Sequence, residues 1–270
     1  MKTKTVRYET IPPIENNFQV KFKEYENYGG TLPHWHEHIE LLYFKEGSCT
    51  VYSGASSFEV KKGDLVIINE AEVHSVSRGN LISYDCILIY PQFFCDVVFE
   101  GVRLKNLISG DTEVQNIIAQ IRREHERQEF GFDIEIKSLA YKLVAYLMRN
   151  YTVAVLDEKE REKRTLSISR MDSVFKYISE NYAENITTAD LAAFCYLSEA
   201  HFCRFFKRET GKNCMRYINE FRVEKAALML KKTDFQISAV AAAVGFEDVN
   251  YFSRIFKQIK GLSPTEFRAK

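Results

Sequence analysis

Residues 191 to 211 read LAAFCYLSEAHFCRFFKRETG, and residues 240 to 261 read VAAAVGFEDVNYFSRIFKQIKG. With one extra residue in the second turn, Ala192, Ala193, Phe202, Arg204, Phe206, Lys207 and Gly211 recur as Ala241, Ala242, Phe252, Arg254, Phe256, Lys257 and Gly261. Self-similarity at a period of about 50 residues marks a repeated supersecondary unit. Each copy reads as a short Ala-rich helix, a turn and a second helix, the small residues letting the two helices cross closely at about 90 to 120°. In the second helix of copy two, Phe252, Ile255, Phe256 and Ile259 share one face, while Asn250, Ser253, Arg254 and Lys257 share another. Copy one divides likewise, with Phe202, Phe205 and Phe206 inward, Ala200, Cys203, Arg204 and Lys207 outward, and Ser198 where an N-cap belongs.

A polar stripe on a helix fits a major groove. Arg pairs bidentately with guanine and Asn with adenine, at about 1 to 3 kcal/mol of discrimination per good pair, whereas Lys mainly meets phosphate. Arg204, Arg254 and Asn250 are therefore the expected base readers, with His201 on the recognition-helix flank near phosphate. A single such helix reads equally well as a solvated basic face; two in tandem favour double-stranded DNA as the partner. Met215 to Lys231 is a continuous helical pattern, about 25 Å long at 1.5 Å per residue. It would hold the two recognition helices about one DNA turn apart.

The stretch from Ile168 to Lys270 resembles the DNA-binding domain of the AraC/XylS transcription regulators, most specifically in GFEDVNYFSRIFKQIKGLSPTEFR, Gly245 to Arg268. The resemblance implies base-contacting positions at Ala200, Cys203 and Arg204 in the first motif and at Val249, Asn250, Ser253 and Arg254 in the second. Tyr196 departs from the pattern, standing where copy two has Gly245, so a positive φ there would carry strain.

The chain is 270 residues long, enough for two ordinary domains, and its 46% hydrophobic content excludes a mainly disordered chain. The formal net charge of zero hides an asymmetry. Residues 1 to 167 carry 21 basic and 25 acidic side chains, and residues 168 to 270 carry 16 and 12, so the repeat region is the basic part. The six cysteines form no C-x-x-C and read as reduced, mostly buried thiols, a commoner role for Cys195 and Cys203 near helix contacts than a redox switch. No signal-peptide pattern and no run of about 18 apolar residues occurs, which predicts a cytoplasmic protein with no membrane partner.

From Phe18 to Tyr90, period-two runs such as Ile82, Tyr84, Cys86, Leu88 and Tyr90 alternate with glycine turns, predicting an antiparallel β sandwich or small barrel. Beyond Pro91, Val114, Ile117, Ile118 and Ile121, then Ile136, Leu139, Ala140, Leu143, Val144 and Leu147, fall at helical spacing. These two helices suit a lid on the sheet and a dimer interface equally. The charged DEKEREKR, Asp157 to Arg164, reads as a solvated linker or an exposed helix end. The expected class is α+β multidomain: an N-terminal antiparallel β cupin-like barrel with two following helices over 1–155, a linker over 156–167, and an all-α domain with two helix-turn-helix motifs joined by a long helix over 168–270.

His34-Trp35-His36-Glu37-His38-Ile39-Glu40, six residues to Gly47, then Gly63-Asp64 and His74, resembles the two cupin motifs from Gly29 to about Val76. The resemblance implies a metal-ligand set of His34, His36, Glu40 and His74, a composition suited to Mn, Fe, Ni or Zn. Asn69, Ala71 and Arg78 stand where that family tends to have Pro, Gly and Asn. An ideal strand from His36 to Glu40 runs about 13 Å, too far for two ligands of one ion, so a bend or bulge must intervene. Without metal the same residues would line a hydrogen-bonding pocket, as in many cupin-like domains of this regulator family. Trp35, Tyr43 and Tyr52 would flank it for a small polar effector, by analogy a carbohydrate. His38 fits either role, and His125 reads as solvated.

The expected function is an effector-responsive DNA-binding regulator acting as a homodimer, with RNA polymerase a further partner. Effector binding would bias the helices between Asp111 and Tyr151. The rivals are a cupin metalloenzyme or metal sensor using His34, His36, Glu40 and His74, and an architectural DNA binder without effector. An enzyme gives no reason for two repeated stripes with Arg and Lys in register.

Overall fold

The computed structural model describes residues 19–26, 30–77, 79–94, 99 and 101–269; Phe18, Gly29, Arg78 and Cys95 lie outside them. The chain divides into two compact units, one ending at Ser169 and the other starting at Arg170.

The first unit is built on an antiparallel sheet. Its strands are β1 (Val20–Tyr25), β2 (Ile39–Ser53), β3 (Ser56–Lys61), β4 (Asp64–Ile68), β5 (His74–Val76), β6 (Asn80–Ile89) and, past a 3-10 turn at Pro91–Phe94, the separate β7 (Val102–Leu104) and then β8 (Leu107–Ser109). The order is β1-β6-β2-β4-β8, with β3 and β5 pairing with the far half of the long β2. In the near half of β2, Ile39 and Leu41 pack with Tyr43 in one core, and Leu42 and Phe44 lie in another. Register shifts against β6 between Phe44 and Ser48 reverse the parity, so beyond them it is Cys49 and Val51 that join Leu42 and Phe44. One strand thereby contributes to both cores.

Helices α1 (Thr112–Arg127) and α2 (Phe132–Tyr151) cover the other face. Asp111 caps α1, its Oδ1 accepting from Val114 N at 2.9 Å, while its Oδ2 accepts the hydroxyls of Tyr146 (3.0 Å) and Tyr151 (2.6 Å) at the far end of α2. All ten apolar stripe residues of α1 and α2 are buried against the sheet. These ten residues pack as a lid on the sheet. His125 is half-buried, its ring 4.9 Å from Phe22, rather than fully solvated.

One strand pairing was not expected from the sequence. β7 pairs with β9 (Thr152–Val155) as a two-stranded ribbon, tied further by Leu156 N donating to Gly101 O at 2.9 Å. The charged linker stretch is helical, the first turns of α3 (Glu158–Asn181), a 24-residue helix within which the division between the units falls.

The second unit continues with α4 (Thr188–Phe194), α5 (Glu199–Thr210), α6 (Cys214–Lys232), α7 (Ile237–Ala243), α8 (Val249–Lys260) and α9 (Pro264–Arg268). Among the described residues no helix is long and apolar enough to cross a membrane. In α6 the positions that face neighbours include Tyr217, Ile218, Phe221, Val223 and Leu230, all buried. Tyr217 meets Phe175 and Phe206, while Val223, Ala226 and Leu230 meet Val240, Phe252 and Phe256. The long helix thus carries one helix pair at each end. Arg222 fixes the junction: its Nε donates to Tyr182 O (2.7 Å), its Nη2 to Glu184 O (2.8 Å), and its guanidinium lies over Phe246.

Candidate functional site

Both second helices of the repeat are capped the same way. Ser198 Oγ accepts from His201 N (3.4 Å) and Asp248 Oδ1 from Asn250 N (2.6 Å) and Tyr251 N (3.0 Å). Gly211 (φ 70°) and Gly261 (φ 73°) close the C-termini, donating to Lys207 O and Lys257 O at 2.8 Å each. These caps fix which face turns inward. Phe202, Phe205 and Phe206 of α5 and Phe252 and Phe256 of α8 are buried. Ala200, His201, Arg204 and Lys207, and Val249, Asn250, Arg254 and Lys257, are exposed, and Cys203 and Ser253 are half-buried. Every residue expected to read DNA therefore lies on the solvent side of α5 or α8. Asn250 and Arg254 also line a cleft of about 930 Å³ with Asn185, Arg222, Gly245 and Tyr251. Arg254 lies over the Tyr251 ring, whose hydroxyl accepts from Asn219 Nδ2 at 3.1 Å.

The turns differ as the sequence suggested. Gly245 has φ 86°, and Tyr196 reaches φ 55° with a side chain 97% exposed. The first turn therefore bears a strained left-handed residue with little packing in return.

In the first unit, His34, His36, Glu40 and His74 come together, one ligand atom of each lying within 4.8 Å of all the others. The required bend exists: β2 starts only at Ile39, and residues 35–38 are irregular. His34 and His74 exchange backbone hydrogen bonds (3.0 and 2.9 Å), and His36 O accepts from Ala71 N (3.0 Å). Each imidazole places Nδ1 2.9 Å from a carbonyl: His34 on Leu32, His36 on His38, His74 on Glu72. A carbonyl only accepts, so Nδ1 carries the proton and a neutral ring presents Nε2 as a lone pair. Nε2 of His36 and of His74 stand 3.2 and 3.0 Å from Glu40 Oε2, and that of His74 makes no hydrogen bond. Burial works against ionisation of Glu40, yet the two imidazoles hold its carboxyl well below the usual range. Its other oxygen accepts the Cys86 thiol at 3.0 Å.

This donor set fits a cation. Lone pairs of neutral rings facing a carboxylate need positive charge between them, a proton on Nε2 or a metal ion, and N/O donors of this kind take borderline divalent ions. Donors of one ion at about 2.1 Å lie at most about 4.2 Å apart, so each must shift only a few tenths of an ångström. The carbonyl partners of Nδ1 are the orienting contacts that metal-ligating imidazoles use.

The flanking aromatics do not gather there. Tyr43 shares its strand face with Ile39 and Leu41 and packs toward the helices, opposite to Glu40. Tyr52 pairs with Ser75, one position off the Ser53–His74 pair, so alternation sends it to the other face. Trp35 is half-buried between two cluster histidines. His38 is buried and stacked on His36 at 3.5 Å, and burial, then His36, lowers its pKa to about 2, so it stays neutral. Cys86 and Glu72 were missed from sequence; each lies far along the chain from, or does not resemble, the motif it supports.

A family model described as AraC-like ligand binding domain matches residues 20–144, and one described as Helix-turn-helix domain matches 191–270. The chain is 24% identical over 262 residues to the uncharacterized HTH-type transcriptional regulator YdeC of Bacillus subtilis, covering 90% of this chain and 88% of that one. It is 22% identical to the HTH-type transcriptional activator RhaR of Mannheimia succiniciproducens, covering 88% and 87%. Over 102 residues, 37% of this chain and 35% of the other, it is 35% identical to the arabinose operon regulatory protein of Escherichia coli. These relatives are transcription regulators, and the metalloenzyme reading finds no support among them. Because the two longer matches run through both units and not the helical one alone, sensor and reader belong together: the chain is a member of the AraC/XylS family of DNA-binding transcription regulators.

Proposed function

We propose that this regulator reads duplex DNA with the exposed faces of α5 and α8. Arg204, Asn250 and Arg254 meet base edges; Ala200, Cys203, Val249 and Ser253 lie against the groove; His201, Lys207 and Lys257 meet phosphate or its flank. The observation that supports it is the pair of solvent-facing polar stripes on identically capped helices. We place it in the cytoplasm, as a homodimer acting with RNA polymerase. Selection from a random duplex library, followed by anisotropy titration, tests the assignment. Arg254→Ala should lose about 1 to 3 kcal/mol of discrimination at one base pair. Unchanged affinity and preference in both Arg204→Ala and Arg254→Ala would refute it.

The effector of this reading is a small polar molecule taken up at His34, His36, Glu40 and His74. A carbohydrate is suggested by relatives such as the arabinose operon regulator. With Tyr43 and Tyr52 on the other face, the stacking platform for a sugar is reduced to Trp35. A second reading, a divalent metal ion as ligand of the cluster, is favoured by the convergence of His36 and His74 Nε2 on Glu40 Oε2, at 3.2 and 3.0 Å. Metal analysis of the untagged chain against His36→Ala distinguishes the two.

A further inference from the structure

Glu72 sits two residues before His74 on the loop between β4 and β5, and its two ends serve different neighbours. Its carbonyl accepts the His74 Nδ1–H at 2.9 Å, fixing the ring whose Nε2 enters the cluster. Its carboxylate is buried and surrounded by donors. Oε2 accepts from Asn69 N (3.2 Å), Asn69 Nδ2 (3.3 Å) and Asn106 Nδ2 (3.0 Å). Oε1 faces two guanidiniums, Arg103 of β7 at 3.0 Å and Arg164 of α3 at 3.9 Å.

Both routes lead to α3. Arg164 is on its second turn. Arg103 lies in β7, which the Asn69 side chain also grips, pairing with both backbone groups of Leu104 at 2.8 and 3.0 Å. β7 pairs with β9, and Leu156, tied to Gly101, is two residues from the start of α3. The two arginine contacts are unequal. Arg103 is closed on Glu72 and also donates to Glu70 O (2.9 Å), whereas Arg164 stands at the edge of ion-pairing distance with its buried Nε making no hydrogen bond. Movement of the loop at Glu72 would therefore alter the Arg164 contact more readily than the Arg103 contact.

We propose that Glu72 is a positioning residue coupling occupancy of the His34–His36–Glu40–His74 cluster to the first turns of α3 through Arg164. The inference rests on the reading of that cluster as the ligand site. A ligand that draws in His74 Nε2 moves the loop as one piece, because the Glu72 carbonyl holds the ring and its carboxylate holds the arginines.

Hydrogen–deuterium exchange on the full chain tests it, with Zn2+ alone as probe and His74→Ala as a ligand-free perturbation of the same end. Zn2+ should change exchange over 158–166 by about threefold or more in the wild type, leaving 112–127 unaffected. Glu72→Gln and Arg164→Ala should still take up Zn2+ by equilibrium dialysis and lose that response; circular dichroism checks that both fold. Zn2+ uptake with unchanged exchange over 158–166, or a response that survives in both variants, overturns the coupling. Absence of Zn2+ uptake refutes the metal reading alone, and His74→Ala then decides: altered exchange over 158–166 that disappears in the Glu72→Gln background supports the relay, and unaltered exchange overturns it.

Discussion

The two repeat turns offer opposite substitutions with opposite expected signs. Gly245 has φ 86°, and a Cβ there would stand 2.7 Å from Ala183 O, 2.9 Å from Ala183 C and 2.9 Å from Tyr182 O. All three are backbone atoms, so no side chain can swing away. Adopting the left-handed region costs an L residue about 1 to 2 kcal/mol. Displacing the 182–184 segment also strains the two hydrogen bonds it accepts from Arg222, and hydrogen bonds to charged groups contribute about 1.5 to 3 kcal/mol each. Gly245→Ala should therefore lose about 3 kcal/mol. Tyr196→Gly relieves a similar left-handed strain at an exposed side chain and pays back about 0.4 to 1 kcal/mol in unfolded-chain entropy, a net gain of about 0.5 to 1 kcal/mol. Urea unfolding of the full chain followed by ellipticity at 222 nm (a helix signal) measures both. Trp35, the single tryptophan, reports the β unit by fluorescence and should not move in either variant. A loss under about 1 kcal/mol in Gly245→Ala, or a clear loss in Tyr196→Gly, would refute the argument.

Lys257→Ala should weaken binding to all duplexes alike and reduce the salt slope by about one, measured by anisotropy between 50 and 200 mM salt, roughly the range over which counterion release is resolved. Burial pushes the Cys49 thiol up to about 12 and raises Cys195 and Cys214 as well, so at pH about 8 maleimide should label half-buried Cys203 ahead of those three, and bound DNA should protect it; mass spectrometry of the tryptic peptides reads both outcomes. Burial opposes ionisation of Asp111, but the Tyr151 hydroxyl, the Val114 amide and the Tyr146 hydroxyl hold its carboxyl below the ordinary value. Its contribution is present above the unfolded pKa of about 3.9 and lost as pH falls through the lower folded value. Asp111→Asn, which keeps a capping oxygen, should be less stable than wild type at pH about 6 and converge on it near pH about 2.5, followed by Trp35 fluorescence in urea.

The helical unit was legible because its information is local. Stripes at i, i+3, i+4 and i+7 and the cap at Ser198 lie within a dozen residues of what they specify, and the structure realises each. The strained Tyr196 was legible from its aligned glycine. In the β unit the four cluster residues came from the resemblance to the cupin motifs, and which face a tyrosine takes was misjudged. Tyr43 stands three residues from Glu40 in unbroken register, so alternation alone sends it to the other face and its placement in the pocket ignored that; Tyr52 lies beyond two register shifts in β2, and period two carries no information across an unseen bulge. β7, β8 and β9 have three or four residues each, too short to show a period. The stretch over 157–164 left linker and exposed helix end both open because a helix with no apolar stripe differs from a solvated loop only by propensity.

The buried polar groups of the β unit separate into two kinds. Glu72 is surrounded by donors only, so its charge is matched and its geometry held; a half-matched network would be worse than an apolar core. The cluster around Glu40 is built the opposite way. Backbone carbonyls take the Nδ1–H of three imidazoles and leave the Nε2 of two of them facing the Glu40 carboxylate. That convergence is satisfied only by a proton on an Nε2 or by a cation between ring and carboxylate, so, unlike the fixed donors around Glu72, its charge balance changes with what it takes up.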